Sequence, residues 1–273
     1  MTPIDPAQIR PLVCGKVAVV TGASRGIGAE MARRLVTVGA TVIGVARSGD
    51  DLTRLSRSLP GPGRLVPLPG DLRDTTWAGD TAASIVEQYG APTLLVSNAG
   101  HSIRRSLAET TGRFHDVART AAVNYLGAVA LAMPILDAMR ERGQGHLVYV
   151  ATTSLDMPMP DWASYTASKA AFEYWLRCVA PELRAANVAV TSVHLPRVAT
   201  AMSAPTAGRY RAGRFRVPEL SVAQAANLLC RAIVQRPRFV RPVWAGLAGV
   251  VAAGWPGGVD AVFEAVWRAG LRP

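Results

Sequence analysis

Along most of the chain, short apolar runs rich in β-branched residues alternate with helix-length stretches whose apolar positions recur with a helical period. The runs fall at 17–21, 41–46, 65–68, 94–97, 146–152 and 188–195, and each predicts a strand. The stretches near 27–38, 52–59, 76–89, 117–140 and 164–185 predict the helices between them. Strand and helix in strict alternation is the pattern of repeated βαβ units. The expected fold is therefore α/β: a doubly wound parallel sheet with helices on both faces. After Pro196 the rhythm breaks into a loop rich in Pro, Gly and Arg over 196–220. A helix near 222–235 follows, then a seventh strand candidate at 238–243 and a Gly/Trp-rich tail over 244–273. No internal repeat and no Ser/Gly linker divides the chain, so residues 1–273 are expected to form one domain.

Composition narrows the class. With 273 residues, 49% of them hydrophobic and 18% charged, the chain can bury a sizeable core and lacks the signature of disorder. The formal charge of +11 raises nucleic acid as a partner, but the basic residues are scattered and only Lys16 and Lys169 are lysines. A basic stripe, the footprint of backbone binding, is missing, so no nucleic-acid partner is expected. Cys14, Cys178 and Cys230 are odd in number and have no metal-ligand spacing, and no signal-peptide pattern precedes Lys16. A cytoplasmic protein with reduced thiols and no metal is expected. The apolar run 245–255, interrupted by Gly246, Gly249 and Gly254, is too short to cross a bilayer, so no transmembrane segment is expected.

The first candidate chemistry lies directly after the first strand, in Thr21-Gly22-Ala23-Ser24-Arg25-Gly26-Ile27-Gly28. Gly22 can make a tight turn, Gly26 can let backbone approach a pyrophosphate, and Gly28 can let helix pack closely on strand. The helix that opens there offers unpaired N–H groups and a positive dipole end to phosphate. A dinucleotide site is expected. Its type is read at the end of the second strand, where an acidic residue would accept the adenosine ribose hydroxyls. This chain has Ala46-Arg47-Ser48 there instead. Arg47, with Arg25, could pair with a 2′-phosphate, which predicts NADP(H) over NAD(H).

Tyr165 and Lys169 stand four apart in a helix-forming stretch and so share one face. A free tyrosine, with a pKa near 10, is a poor proton donor or acceptor at neutral pH; an adjacent ammonium is expected to lower that value toward the working range.

With these motifs in order, the sequence resembles the short-chain dehydrogenase/reductase family, the type with one Rossmann domain, over roughly 15–202. The resemblance includes Asp71-Leu72 after the third strand, Asn98-Ala99-Gly100 after the fourth, Asn124, the Tyr165/Lys169 pair, and the stretch from Pro196 to Thr200. It implies that Asp71 and Leu72 lie at the adenine, that Lys169 holds the nicotinamide ribose, and that Asn124 anchors a water relaying protons to Lys169. Val198 and Thr200 would contact the carboxamide or phosphates. The family usually has a serine thirteen residues before the tyrosine; this chain has Thr152, whose hydroxyl can still donate to a substrate carbonyl, with Ser154 as the second candidate. A second departure is Arg197, where glycine is common; it could contact phosphate, line the cleft mouth or point to solvent.

These residues predict reversible carbonyl reduction with Tyr165 as acid and base. Two other readings stay open: a non-catalytic NADP-binding sensor or partner, and a dehydratase or epimerase using the same tyrosine. The segment 196–220 should form the substrate lid. Its stretch 196–210, and 218–237 less closely, is similar to actinobacterial members acting on acyl chains and to fatty acyl reductase domains. That likeness implies a lipophilic or acyl-type carbonyl, with Arg209, Arg211, Arg214 and Arg216 available to a CoA or carrier-protein phosphate; a solvated basic loop over a small ketone is the alternative. His101, Arg104 and Arg105 could face the mouth of the site. Trp244, Trp255, Phe263 and Trp267 make the tail amphipathic, which permits membrane-surface contact, although subunit packing is the commoner cause. The resemblance implies a homodimer or homotetramer joined through the long helices beginning near Val117 and Ser164.

Overall fold

The computed structural model describes residues 4–157, 159–203 and 219–268. Seven parallel strands form one sheet: β1 (Val17–Thr21), β2 (Thr41–Ala46), β3 (Arg64–Pro69), β4 (Leu94–Ser97), β5 (Gly145–Thr152), β6 (Val188–Leu195) and β7 (Phe239–Val240). Their spatial order is β3-β2-β1-β4-β5-β6-β7. The helices, in chain order, are α1 (Pro6–Val13), α2 (Gly26–Thr37), α3 (Gly49–Ser58), α4 (Thr75–Tyr89), α5 (Leu107–Thr110), α6 (Phe114–Ala121), α7 (Gly127–Arg142), α8 (Ala163–Ala185), α9 (Val222–Gln235), α10 (Val243–Gly254) and α11 (Pro256–Arg268).

The continuous apolarity of the strands has a direct cause: both faces of the sheet are covered. Val20, Val42, Val96, Val148 and Val193 pack on one face with Met31 and Leu35 of α2 and Leu229 and Ile233 of α9. The alternate residues Val19, Ile43, Leu95 and Leu147 pack on the other, with Leu131 and Ile135 of α7 and Phe172 and Leu176 of α8. Strand order reverses between β1 and β4, and the crevice that opens outside the carboxyl ends there is where ligands bind in such sheets.

Four features depart from the sequence reading. The helix expected over 117–140 is broken by a turn of π-helix at Ala122–Leu126, which carries Asn124. The unforeseen α1 is started by Asp5, whose side chain accepts from the Ala7 N–H, and by Pro6 in its first turn. β7 is only two residues long, because Pro242 has no N–H to donate and Val243 already begins a helix. The tail is two helices, α10 and α11, bent by 107° at their junction. The helical run Phe114–Arg142 is long and apolar enough to cross a membrane, yet its Leu131, Ala132, Ile135 and Met139 belong to the core. Most of the expected lid, including Arg209, Arg211, Arg214 and Arg216, lies outside the described residues.

Candidate active site

The glycine turn takes the shape its sequence predicts. Gly22 and Gly26 have φ of +68° and +57°, a region L side chains rarely occupy. At Gly28 a Cβ would stand 2.2 Å from the Gly22 carbonyl oxygen, so only glycine fits. Arg25, at the N-cap of α2, makes no side-chain cap bond, which leaves the first N–H groups of that helix unclaimed by a capping side chain. Thr21 fastens the turn to the end of β4: its Oγ1 accepts from the N–H groups of Asn98 (3.0 Å) and Ala99 (2.9 Å), while Asn98 Nδ2 donates to the Thr21 carbonyl at 2.9 Å.

From this turn a single cleft of about 1080 Å³ runs along the carboxyl ends of the strands. Gly22, Ser24, Arg25, Gly26, Ile27, Arg47, Asp71, Leu72, Asn98, Ala99, Gly100, Thr152, Tyr165, Lys169, Pro196, Val198 and Thr200 all line it. Of the predicted residues, Gly28 and Asn124 stand behind its wall. The far end is cationic. Arg73, which the sequence reading overlooked, joins Arg25 and Arg47 there and holds the Asp71 carboxylate at 2.6 Å. That pairing pulls the Asp71 pKa down, with a further contribution from Arg47. The turn geometry, the unclaimed helix terminus and the arginines fit a dinucleotide carrying an extra phosphate.

At the other end of the cleft, Thr152 closes β5 and hydrogen-bonds the Tyr165 phenol from α8. Burial pushes that phenol up to about 12, and the Thr152 hydroxyl draws it back only in part. The expectation that Lys169 would bring Tyr165 toward neutrality is not met. Lys169 is buried, donates from Nζ to the Val150 carbonyl at 2.9 Å, and lies 4.9 Å from the Tyr149 ring centroid. Burial lowers its own pKa to about 8, against the opposing pull of Glu173. Ser154, the second candidate, lines the same cleft and is hydrogen-bonded to Thr152. Thr166 donates to Ser154 Oγ at 3.1 Å, and Ser154 donates to Thr152 Oγ1 at 3.2 Å, so a chain of hydroxyls leads to Thr152, whose own proton is left for Tyr165.

The π-turn brings Asn124 inward, as such single-turn bulges often do at functional sites. Its Oδ1 accepts from the His101 N–H at 2.7 Å, and its Nδ2 donates to the His101 carbonyl (2.8 Å) and to Ser168 Oγ (2.9 Å). Gly100 passes between: a Cβ there would lie 3.4 Å from Lys169 Nζ and 3.5 Å from Asn124 Oδ1.

His101 and Arg104 line the cleft, whereas Arg105 turns away to Asp116 at 2.9 Å. Burial and the nearby charges of Arg119, Arg47 and Arg73 lower the His101 pKa, favouring neutral imidazole. Arg104 pairs with Asp161 at 3.0 Å and lies 4.8 Å from the Trp162 ring centroid. Arg197 pairs with Glu219 at 3.3 Å and donates to the Ser203 carbonyl, tying down the chain beyond β6. The same cleft is also lined by the large apolar side chains Met157, Met159, Trp162, Met202, Trp244 and Phe263.

Behind the site lies a buried charge network no sequence motif announces. His194 of β6 bonds the Asp156 carboxylate through Nδ1 (2.8 Å) and the Glu173 carboxylate through Nε2 (3.1 Å), and Arg241 reaches Asp156 at 2.9 Å. Although burial opposes it, these two carboxylates hold His194 protonated, with its pKa raised to about 9. The only available signal was a polar residue, His194, inside an otherwise buried strand. The network joins the loop after Thr152, the helix that carries Tyr165, and the root of α10.

A parallel sheet with a phosphate-cradling glycine turn, an Asn98-Ala99-Gly100 crossing and a Thr152–Tyr165 pair over one cleft defines a nicotinamide-type oxidoreductase. The short chain dehydrogenase pattern matches residues 16–210, and the chain belongs to that family. Among its relatives, a fatty acyl-CoA reductase of Acinetobacter baylyi is 35% identical over 248 residues, covering 90% of this chain and 82% of the relative. A fatty acyl-CoA reductase of Mycobacterium tuberculosis is 36% identical over 244 residues, covering 89% of this chain and 79% of the relative. A short chain dehydrogenase from Burkholderia cenocepacia, solved in complex with NADP, superposes with a TM-score of 0.75 at 26% identity, covering 91% of this chain and 97% of that one.

Proposed function

We propose that this oxidoreductase uses NADPH to reduce a lipophilic, acyl-type carbonyl, with Tyr165 as the proton donor. The observation that carries this reading is the juxtaposition, in one cleft, of the Thr152–Tyr165 hydroxyl pair with a wall of methionine and aromatic side chains. The similarity to two fatty acyl-CoA reductases supports the substrate class. The cationic end built by Arg25, Arg47 and Arg73 supports NADP(H) over NAD(H), as does the NADP complex of the Burkholderia cenocepacia relative.

In this reading the glycine turn and the start of α2 hold the pyrophosphate, Arg25 and Arg47 the 2′-phosphate, Asp71 and Leu72 the adenine end, and Lys169 with Asn98, Ala99, Gly100, Pro196, Val198 and Thr200 the nicotinamide half. When bound, the dinucleotide supplies the hydride. Thr152 donates to the substrate carbonyl oxygen and fixes it beside Tyr165. As negative charge grows on that oxygen, Tyr165 passes it the phenolic proton. At neutral pH the Tyr165 phenol holds its proton, and although its raised pKa makes it a weak acid, the alkoxide that forms on hydride transfer is a stronger base and can take that proton. Asn124 keeps the 100–101 backbone in place beside Lys169, the group that would return a proton to the site. Oligomer contacts are assigned to α7 and α8, where Met133 and Tyr174 stand exposed, and the setting to the cytoplasm.

The test is NADPH consumption on a panel of long-chain acyl thioesters, long-chain aldehydes and small ketones, run beside Tyr165→Phe. Tyr165→Phe should keep NADPH binding and lose about 100- to 10,000-fold in kcat. Turnover confined to compact polar ketones would refute the lipophilic substrate. No turnover on any carbonyl, with NADPH still bound, would leave a non-catalytic binding protein.

A further inference from the structure

Along α8 the residues Tyr165, Lys169 and Glu173 stand four apart and so form one stripe. Tyr165 meets Thr152 in the cleft, Lys169 bonds the Val150 carbonyl, and Glu173 bonds His194 of β6. His194 also reaches in a second direction. β6 pairs with β5 so that His194 lies beside Ala151 and Leu195 beside Thr152. The chain leaves Thr152 through one turn, Thr153–Leu155, and the next residue, Asp156, gives its carboxylate to His194. One imidazole therefore spans the two elements that supply the Thr152–Tyr165 pair. With a carboxylate on each nitrogen it donates from both, which makes it the cation, and Arg241, 2.9 Å from Asp156, brings the cluster to two cations and two carboxylates.

Stability alone is a poor reason for such a cluster. His194, Asp156 and Glu173 are buried, and they stand outside the cleft lining. Taking ionised groups out of water is costly, and well-packed apolar side chains of similar volume commonly hold a fold as well or better. What bonded charges add is direction, because their bonds are satisfied in few arrangements. Here the satisfied arrangement sets the turn after Thr152 against α8. Alignment of that kind matters to rate: a displacement of about 1 Å at reacting groups can cost about a hundredfold.

We propose that His194 is a positioning residue for the reduction: by holding Asp156 and Glu173 at once, it fixes the turn after Thr152 against α8 and keeps the Thr152 hydroxyl on the Tyr165 phenol. The inference rests on Thr152 and Tyr165 being the working hydroxyls and adds what aligns them.

The test is nuclear magnetic resonance of isotope-labelled tyrosine in the full chain with NADPH bound, which reads the Tyr165 ring without substrate; Tyr165→Phe identifies its signal. A blank substrate panel leaves this result intact, and failure of the catalytic reading shows separately, as turnover that survives Tyr165→Phe. Thr152→Val gives the signal of a phenol that has lost its partner. Glu173→Met fills much the same space without an acceptor and should move the Tyr165 signal toward that position, whereas Glu173→Gln, which keeps an acceptor for Nε2, should return it to the parent's. On any carbonyl the parent reduces, Glu173→Met should lower kcat per NADPH-binding site by about tenfold or more with KM changed less than about twofold, and Glu173→Gln should restore kcat to within about threefold. If Glu173→Met fails to bind NADPH, Glu173→Leu takes its place. An unmoved Tyr165 signal, or an unchanged kcat, in a variant that binds NADPH overturns the proposal and leaves the cluster a structural one. Equal displacement in Glu173→Gln overturns it too, by tracing the effect to charge rather than to the tie.

Discussion

The buried imidazole of His194 has a measurable consequence for stability. Its ordinary pKa of 6.5 rises to about 9 in the folded chain, held there by Asp156 and Glu173. A group whose pKa is raised on folding stabilises the fold fully below its unfolded value, and that contribution is lost as pH rises through the folded one. The window is therefore 6.5 to about 9. The other shifted groups leave the lower half of it clear: His101 and His146 are lowered and act below 6.5, and Lys169, lowered to about 8, acts above that with the opposite sign. One pKa unit is worth about 1.4 kcal/mol, so unfolding free energy should fall by about 1.5 kcal/mol between pH 6.5 and 8 once partial protonation of the unfolded histidine is allowed for. Urea unfolding followed by tryptophan fluorescence, at one protein concentration across that range, reads the slope. In Glu173→Gln/His194→Gln both charges go while the Asp156–Arg241 pair remains, and the decline should vanish or reverse slightly. A flat profile in the parent chain, or an undiminished decline in the double variant, would refute the assignment.

Other outcomes follow from the cleft itself. Arg47→Ala should weaken NADPH by about ten- to a hundredfold and NADH by less than about twofold, the loss of a charge-assisted bond to one phosphate; fluorescence titration with both cofactors checks it. Thr152→Val should lower kcat by about a hundredfold or more and Thr152→Ser should largely restore it, whereas Ser154→Ala, which removes only a supporting bond, should cost less than about tenfold. A larger loss for Ser154→Ala in steady-state assays would reverse their roles. Gly28→Ala puts a Cβ 2.2 Å from a backbone oxygen and should abolish NADPH binding in the same titration, with loss of stability in the unfolding curve.

Much of the architecture was legible because the central strands β1, β2, β4, β5 and β6 are buried along most of their length and so read as largely apolar runs. Strands β1, β2, β4 and β6 fall at their expected limits. The glycine turn and the cationic end of β2 were equally plain, since both depend on residues adjacent in sequence. Long-range pairing was not legible. The spacing of Tyr165 and Lys169 predicted a shared face, but whether the ammonium or burial dominates the phenol depends on Val150 and Tyr149, supplied by another strand. Arg73, by contrast, stands only two residues from the Asp71 it pairs with, and was overlooked although the contact is local. The π-turn at Asn124 leaves no periodicity signal, because five residues cannot distinguish it from α-helix. The tail's helices were not anticipated, since Gly246, Gly249 and Gly254 weaken helix propensity, while Gly249 is what lets α10 approach the Asp156 backbone.

That close approach, with the Arg241–Asp156 pair, bears on how the protein is handled at the bench. Trimming an oily carboxyl terminus is a standard remedy for poor expression, and α10 invites it. A cut just before Arg241 would strip a buried carboxylate of its guanidinium four residues from Thr152, and would remove Trp244 and Phe263 from the cleft wall. The shortened protein would be easier to keep in solution and a poor witness to what the whole chain can do.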